Sequence, residues 1–162
     1  MIVLAIAALA LASCSATPSG TKLTGSDGNK MQAHVTVQVE AVKDELVARL
    51  TIENRSDAVP LYVEKRKALQ SSNPRIKLFE ITADGKDVPY IGVMEKRRPP
   101  EKGDFISIPP KGHVTGTANL IPLYRFLPGV HEYRINYRAF HGDPDNVQVL
   151  NELSSEAQVF RY

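Results

Sequence analysis

Apolar residues run unbroken from Met1 to Ala12, thin out between Ser15 and Lys30, and then return at every second position. Val35, Val37, Val39 and Ala41 alternate with Thr36, Gln38 and Glu40; Leu46, Ala48, Leu50 and Ile52 alternate with Val47, Arg49, Thr51 and Glu53. Alternation of this kind puts successive side chains on opposite faces and predicts half-buried strands. Lys43-Asp44 is a hairpin turn between the two, and Asn54–Asp57 is a second turn. Pro60–Lys65 is a short third strand at an edge, because proline cannot donate to a ladder. Further strands are expected over Ile76–Thr82, Val88–Val93, Phe105–Ile108, Val114–Leu120, His131–Phe140 and Ala157–Tyr162. Asp84-Gly85, Pro109–Gly112 and Pro128-Gly129 supply the turns. No segment carries an apolar stripe at helical spacing, although Leu120–Leu127 and Val147–Leu153 each have room for one helical turn. Short strands with a turn signal about every 8–12 residues predict an all-β antiparallel β-sandwich over residues 31–162.

One strand narrows the type of sandwich. Tyr133, Ile135, Tyr137 and Ala139 share a face behind the Pro128-Gly129 turn. This resembles the penultimate strand of immunoglobulin-like sandwiches, in which a Tyr hydroxyl bonds back across the corner. The fold expected is therefore immunoglobulin-like.

Residues 1–13 read MIVLAIAALALAS, with no charge. A helical span of a bilayer takes roughly 20 residues, so the stretch has the length of a signal-peptide core instead. It ends in Leu11-Ala12-Ser13-Cys14. That ending resembles the bacterial lipobox, whose Cys is lipidated and becomes the new N-terminus. The resemblance implies lipidation of Cys14 and an anchor in the lipid bilayer. Ser15 stands where an Asp would imply retention at the inner membrane, so the outer membrane is expected, with the domain facing the periplasm. The Lys or Arg that normally precedes a signal core is missing, which implies a start upstream of Met1. Residues 14–30 then form the lipidated Cys and a flexible tether, too polar to offset its ordering entropy. About sixteen such residues reach roughly 20–25 Å.

Composition adds limits. The chain has 162 residues, net charge +2, one Cys and 43% hydrophobic residues. Without residues 1–13 the hydrophobic share is roughly 39%, ordinary for a soluble domain. A body of about 130 residues buries roughly two-thirds of its unfolded surface and needs no disulfide. The lone Cys also excludes a multi-Cys zinc site. A charge of +2 gives no reason to expect nucleic acid. The charge is uneven, however: residues 62–102 hold ten Lys and Arg against six Asp and Glu, a local excess of four.

Residues 84–120 read DGKDVPYIGVMEKRRPPEKGDFISIPPKGHVTGTANL. The order of a Gly-containing hairpin, Pro-Tyr-x-Gly, Lys-Arg-x-x-Pro, an aromatic strand and a Pro-x-Gly turn is similar to one family. That family is the β-sandwich domain N-terminal to the catalytic domain of bacterial deuterolysin-type (aspzincin, peptidyl-Lys) metallopeptidases. Pro89, Tyr90, Gly92, Lys96 and Arg97 carry the least generic part of the match, which extends from about Thr36 to Ala139. The peptidases bind zinc through His-Glu-x-x-His on a helix in a further domain. Here only His131-Glu132-Tyr133-Arg134-Ile135 approaches it, with Ile at the fifth position and a strand pattern around it. The resemblance therefore implies the accessory module and not the activity.

No other motif points to catalysis. There is no Gly-x-Ser-x-Gly nucleophile turn and no Gly-rich phosphate loop. His34, His113, His131 and His141 are scattered, and Asp143-Pro144-Asp145-Asn146 lacks the continuation of a calcium loop. A non-enzyme without metal or cofactor is expected. Two basic runs remain, Lys65-Arg66-Lys67 and Lys96-Arg97-Arg98, the second stiffened by Pro99-Pro100. Tyr90, Lys96, Arg97 and Arg98 are the candidate binding residues. Solvated loop charge is one reading of these runs; the functional one is contact with an acidic protein or peptide partner or with anionic lipid, and the resemblance adds a protease as that partner. The overall expectation is a membrane-anchored binding lipoprotein; the alternatives are an accessory domain for a zinc peptidase on another chain, or a structural envelope lipoprotein.

Overall fold

The computed structural model describes residues 33–70, 74–146 and 148–162, so Cys14 and the tether lie outside the described residues. Ten strands and one short 3-10 turn (Lys102–Asp104) make up an all-β antiparallel sandwich. One sheet has the order β1 (Ala33–Val42), β2 (Glu45–Asn54), β7 (His113–Asn119). The other has the order β10 (Gln158–Arg161), β8 (Glu132–Gly142), β4 (Phe79–Ala83), β5 (Lys86–Asp87), with β9 (Leu150–Ser154) also on β8. A third pair, β3 (Leu61–Glu64) with β6 (Phe105–Ile108), stands beside β8.

The alternation sets which side chains go inside. Leu46, Ala48, Leu50 and Ile52 of β2 are buried, while Glu45 and Arg49 are exposed. From the opposite sheet, Tyr133, Ile135, Tyr137 and Ala139 of β8 turn inward, with Phe79, Ile81 and Ala83 of β4 beside them. Among the described residues, the fully buried apolar side chains run from Val35 to Leu153.

The hairpins follow the turn chemistry. Lys43 has φ 55°, and Asp84 and Gly85 have φ 50° and 77°, the left-handed values that tight two-residue hairpins require. Tyr133 is fully buried and its hydroxyl accepts the Leu127 N–H at 3.1 Å, which pins the Pro128-Gly129 corner to the strand that follows.

Several expectations about elements differ from what is found. Val88–Val93 is not a strand: β5 stops at Asp87, and only Tyr90 makes a bridge, to Tyr124. Pro89 has no N–H for a ladder, and both the Ile91 and Gly92 N–H groups donate to one carbonyl, Leu123, at 2.8 and 3.2 Å. The stretch expected as Ile76–Thr82 is shifted, with β4 at Phe79–Ala83. Where a helical turn was allowed at Val147–Leu153, β9 pairs with β8 from Leu150. Its periodicity is masked because Val149 and Leu150 are exposed while only Leu153 is buried. Leu120–Leu127 does contain one turn, with the Leu120 carbonyl accepting from Leu123 and Tyr124 at 3.0 and 2.9 Å.

Candidate functional site

Glu64 ends β3, and the chain then turns tightly back on itself. The Glu64 carbonyl accepts from Lys67 and Ala68, and the Lys65 carbonyl from Gln70. This turn is pressed onto β7 at Gly116, where a Cβ would sit 2.6 Å from Leu69 Cβ and nearer still to the Ala68 carbonyl. The turn consequently holds Lys65 and Arg66 in one place.

Opposite it runs the strap from Val88 to Lys102. It is fixed to the body by the Leu123 bonds already described, by Arg125 N–H to the Pro89 carbonyl at 2.9 Å, and by Glu95 N–H to the Arg75 carbonyl at 3.1 Å. The 3-10 turn closes the far side, with the Asp104 carboxylate accepting from Glu101 N–H at 2.9 Å. Between strap and turn lies a cleft of about 530 Å³. Lys65 and Arg66 come from one wall and Arg97 and Arg98 from the other, with Glu64, Glu95 and Asp104 between them. The two basic runs, about thirty residues apart in sequence, thus share one cleft.

Each cation already has a partner inside the protein. Arg97 pairs with Glu95 at 2.6 Å, and Arg98 with Asp104 at 3.0 Å and Glu101 at 3.2 Å. Lys65 donates to the Gly103 carbonyl at 2.7 Å. The Arg97 bond holds the Glu95 carboxyl below its usual range, and the Glu101 N–H, aided by Arg98, does the same for Asp104. These pairs are solvent-exposed and individually weak.

The floor is different. The Glu64 side chain is almost completely buried, held by the Lys67 ammonium, by Arg66 Nε at 3.4 Å and by the Gly142 N–H at 3.3 Å. Burial pushes its carboxyl upward, but Lys67, the Gly142 N–H and Arg66 outweigh it, and the net shift is downward. Behind it, His141 is fully buried. Its Nδ1 accepts the Glu64 N–H at 3.0 Å and its Nε2 lies 2.8 Å from the Tyr137 hydroxyl. Tyr137 gives its own proton to the Lys67 carbonyl at 3.1 Å, so Nε2 must be the donor and His141 is the neutral Nε2–H tautomer. Burial, with Lys67 nearby, lowers the His141 pKa to about 4. Glu64, His141 and Tyr137 link β3 to β8 where no ladder joins them, and His141 and Tyr137 are too enclosed to meet a ligand.

Of the candidate binding residues, Arg97 and Arg98 line the cleft and Lys96 is exposed on the strap between Glu95 and Arg97. Tyr90 is not in the lining. Its ring packs edge-on against Tyr124 at 5.2 Å and its hydroxyl donates to the Val93 carbonyl at 3.1 Å, so it shapes the strap from below. The opposite wall, Glu64, Lys65, Arg66 and Gln70, was not among the candidate binding residues, nor were Glu95, Pro100 and Asp104. The only signal for Lys65 and Arg66 was the first basic run, which nothing in the sequence connected to the second.

Among the described residues no group of three His, Cys, Asp or Glu is placed to hold a metal ion, and no helix is long and apolar enough to cross a membrane. No family model matches the chain, and no curated protein matches it.

Proposed function

We propose that this chain is a lipid-anchored binding protein of the bacterial envelope that presents its cleft to a protein partner and catalyses nothing itself. The observation that carries the reading is the cleft, in which the two basic runs form the walls of one concave site. The Leu-Ala-Ser-Cys14 ending of the apolar segment supports the anchor, and Ser15 after it favours the outer membrane. The similarity of Asp84–Leu120 to the sandwich domain of deuterolysin-type peptidases supports a protease as partner, with this chain as inhibitor or accessory module. The strap that carries that similarity is also one wall of the cleft.

Two measurements test the reading. Cells grown with labelled palmitate should label the wild-type chain and not Cys14→Ser; an unlabelled wild type removes the anchor. A photocrosslinking residue at the exposed position of Lys96 should form an adduct with an envelope protein. If envelopes yield no adduct, the binding role is overturned.

A further inference from the structure

The walls of the cleft have unequal bonding capacity. Its carboxylates are well supplied with donors: Glu64 by Lys67, Arg66 and Gly142, and Asp104 by Glu101 and Arg98. Its cations are not fully used. Among the described residues, Arg97 gives only Nε and Nη2, both to Glu95, Arg98 gives only Nη1, and Lys65 makes one bond. A guanidinium carries a planar fork of donors and no acceptor, so the cleft has a surplus of N–H groups. A ligand rich in acceptors meets that surplus, above all one bearing carboxylates.

Beside the cationic wall the strap carries apolar side chains in water. Ile91, Val93 and Met94 are exposed, the last two at 62% and 72%, immediately before Glu95. Their backbone is tied down, so the exposure belongs to a fixed lip and not to a loose loop. An unpartnered apolar lip next to a charged concave site is the arrangement of a recognition surface, and methionine adapts to varied apolar partners. A flat bilayer touches the lip but cannot enter the cleft, and a small anion uses the cleft but leaves the lip exposed. An extended peptide with acidic and apolar side chains uses both.

We infer that the cleft and its lip bind an acidic-apolar peptide segment of a partner protein. Its carboxylates lie between Lys65 and Arg66 on one side and Arg97 and Arg98 on the other, and its apolar side chains rest on Val93 and Met94. This rests on the binding role proposed above and names the chemistry of its partner.

The test uses the lipid-free chain from position 14 onward, carrying Cys14→Ser, which contains every described strand. The probe is a fluorescent, end-capped peptide of alternating Glu and Leu, about eight residues or roughly 26 Å long when extended. Fluorescence anisotropy should show saturable binding that weakens as salt rises. The double variant R97E/R98E should bind about tenfold or more weakly while melting at the wild-type temperature. V93S/M94S should lose several-fold in affinity and keep the wild-type salt dependence. A Gln-Leu peptide that binds as well as the Glu-Leu peptide overturns the inference, as does binding unaffected by R97E/R98E. Vesicles of phosphatidylglycerol that displace the peptide and bind more tightly overturn it in favour of a lipid surface. A crosslinked partner at Lys96 together with no Glu-Leu binding refutes this inference alone and leaves the binding role standing.

Discussion

Replacing His141 by Phe should destabilise the protein at neutral pH and much less in mild acid. At neutral pH the substitution removes the acceptor of the buried Glu64 N–H and the donor to the Tyr137 hydroxyl. A buried donor left without a partner costs about 1–3 kcal/mol. The wild type has its own weakness in acid. An ordinary His takes a proton near pH 6.5, but folded His141 does so only near pH 4, because burial and Lys67 oppose the charge and Nδ1 already faces an N–H. Between those values the unfolded chain binds more protons than the folded one, so stability falls as pH falls. From about pH 7.5 to 4.5 this one side chain should subtract about 2.5 kcal/mol, most of it below about pH 6.5, where the slope rises to about 1.2 kcal/mol per unit. The Phe variant has no such loss. Urea unfolding followed by far-ultraviolet circular dichroism suits a chain without Trp. The wild type should lead by about 1–3 kcal/mol near pH 7.5, and the two curves should converge or cross near pH 4.5. A difference that stays constant across that range would refute the lowered His141 pKa and the burial argument behind it.

Other substitutions test the same frame. Glu64→Gln leaves the Lys67 ammonium beside the buried end of β8 without its counter-charge and should cost about 2–4 kcal/mol by denaturant titration. Because the folded Glu64 pKa is lowered, its stabilisation is present above the ordinary carboxyl range and lost as pH falls below it, so the variant should also flatten stability there. Gly116→Ala forces a methyl into the Ala68–Leu69 backbone and should lower stability by about 3 kcal/mol, at the upper end of overpacking effects, and loosen the wall that holds Lys65 and Arg66. Tyr133→Phe keeps the ring packing and loses only the bond from Leu127 N–H; a loss of about 1 kcal/mol in thermal or chemical unfolding is expected.

Much of the fold was legible because its strands announce themselves. The β1–β2 hairpin and the Asp84-Gly85 turn are local: the alternation and the turn residues act within a few positions, and no distant contact is needed to fix them. The strap was misread because Val88–Val93 has strand composition, yet whether it becomes a strand depends on Leu123, which lies about thirty residues away and takes both N–H groups. Likewise β9 is a strand because β8 offers it a partner, not because its own pattern is clear. Both basic runs are visible in the sequence, but nothing along the chain places Lys65-Arg66 opposite Arg97-Arg98.

The sequence by itself determined the all-β class, the main hairpins and the inward faces of β1, β2 and β8, since each depends on residue type and period along one short segment. Only the tertiary structure decided that the two basic runs form one cleft, that Tyr90 supports the strap instead of lining it, and that His141 joins Glu64 and Tyr137 in a buried network. Those outcomes depend on which distant segments meet, through long-range contacts such as Gly116 against Leu69 and β3 against β8, and a pattern along the chain carries no record of them.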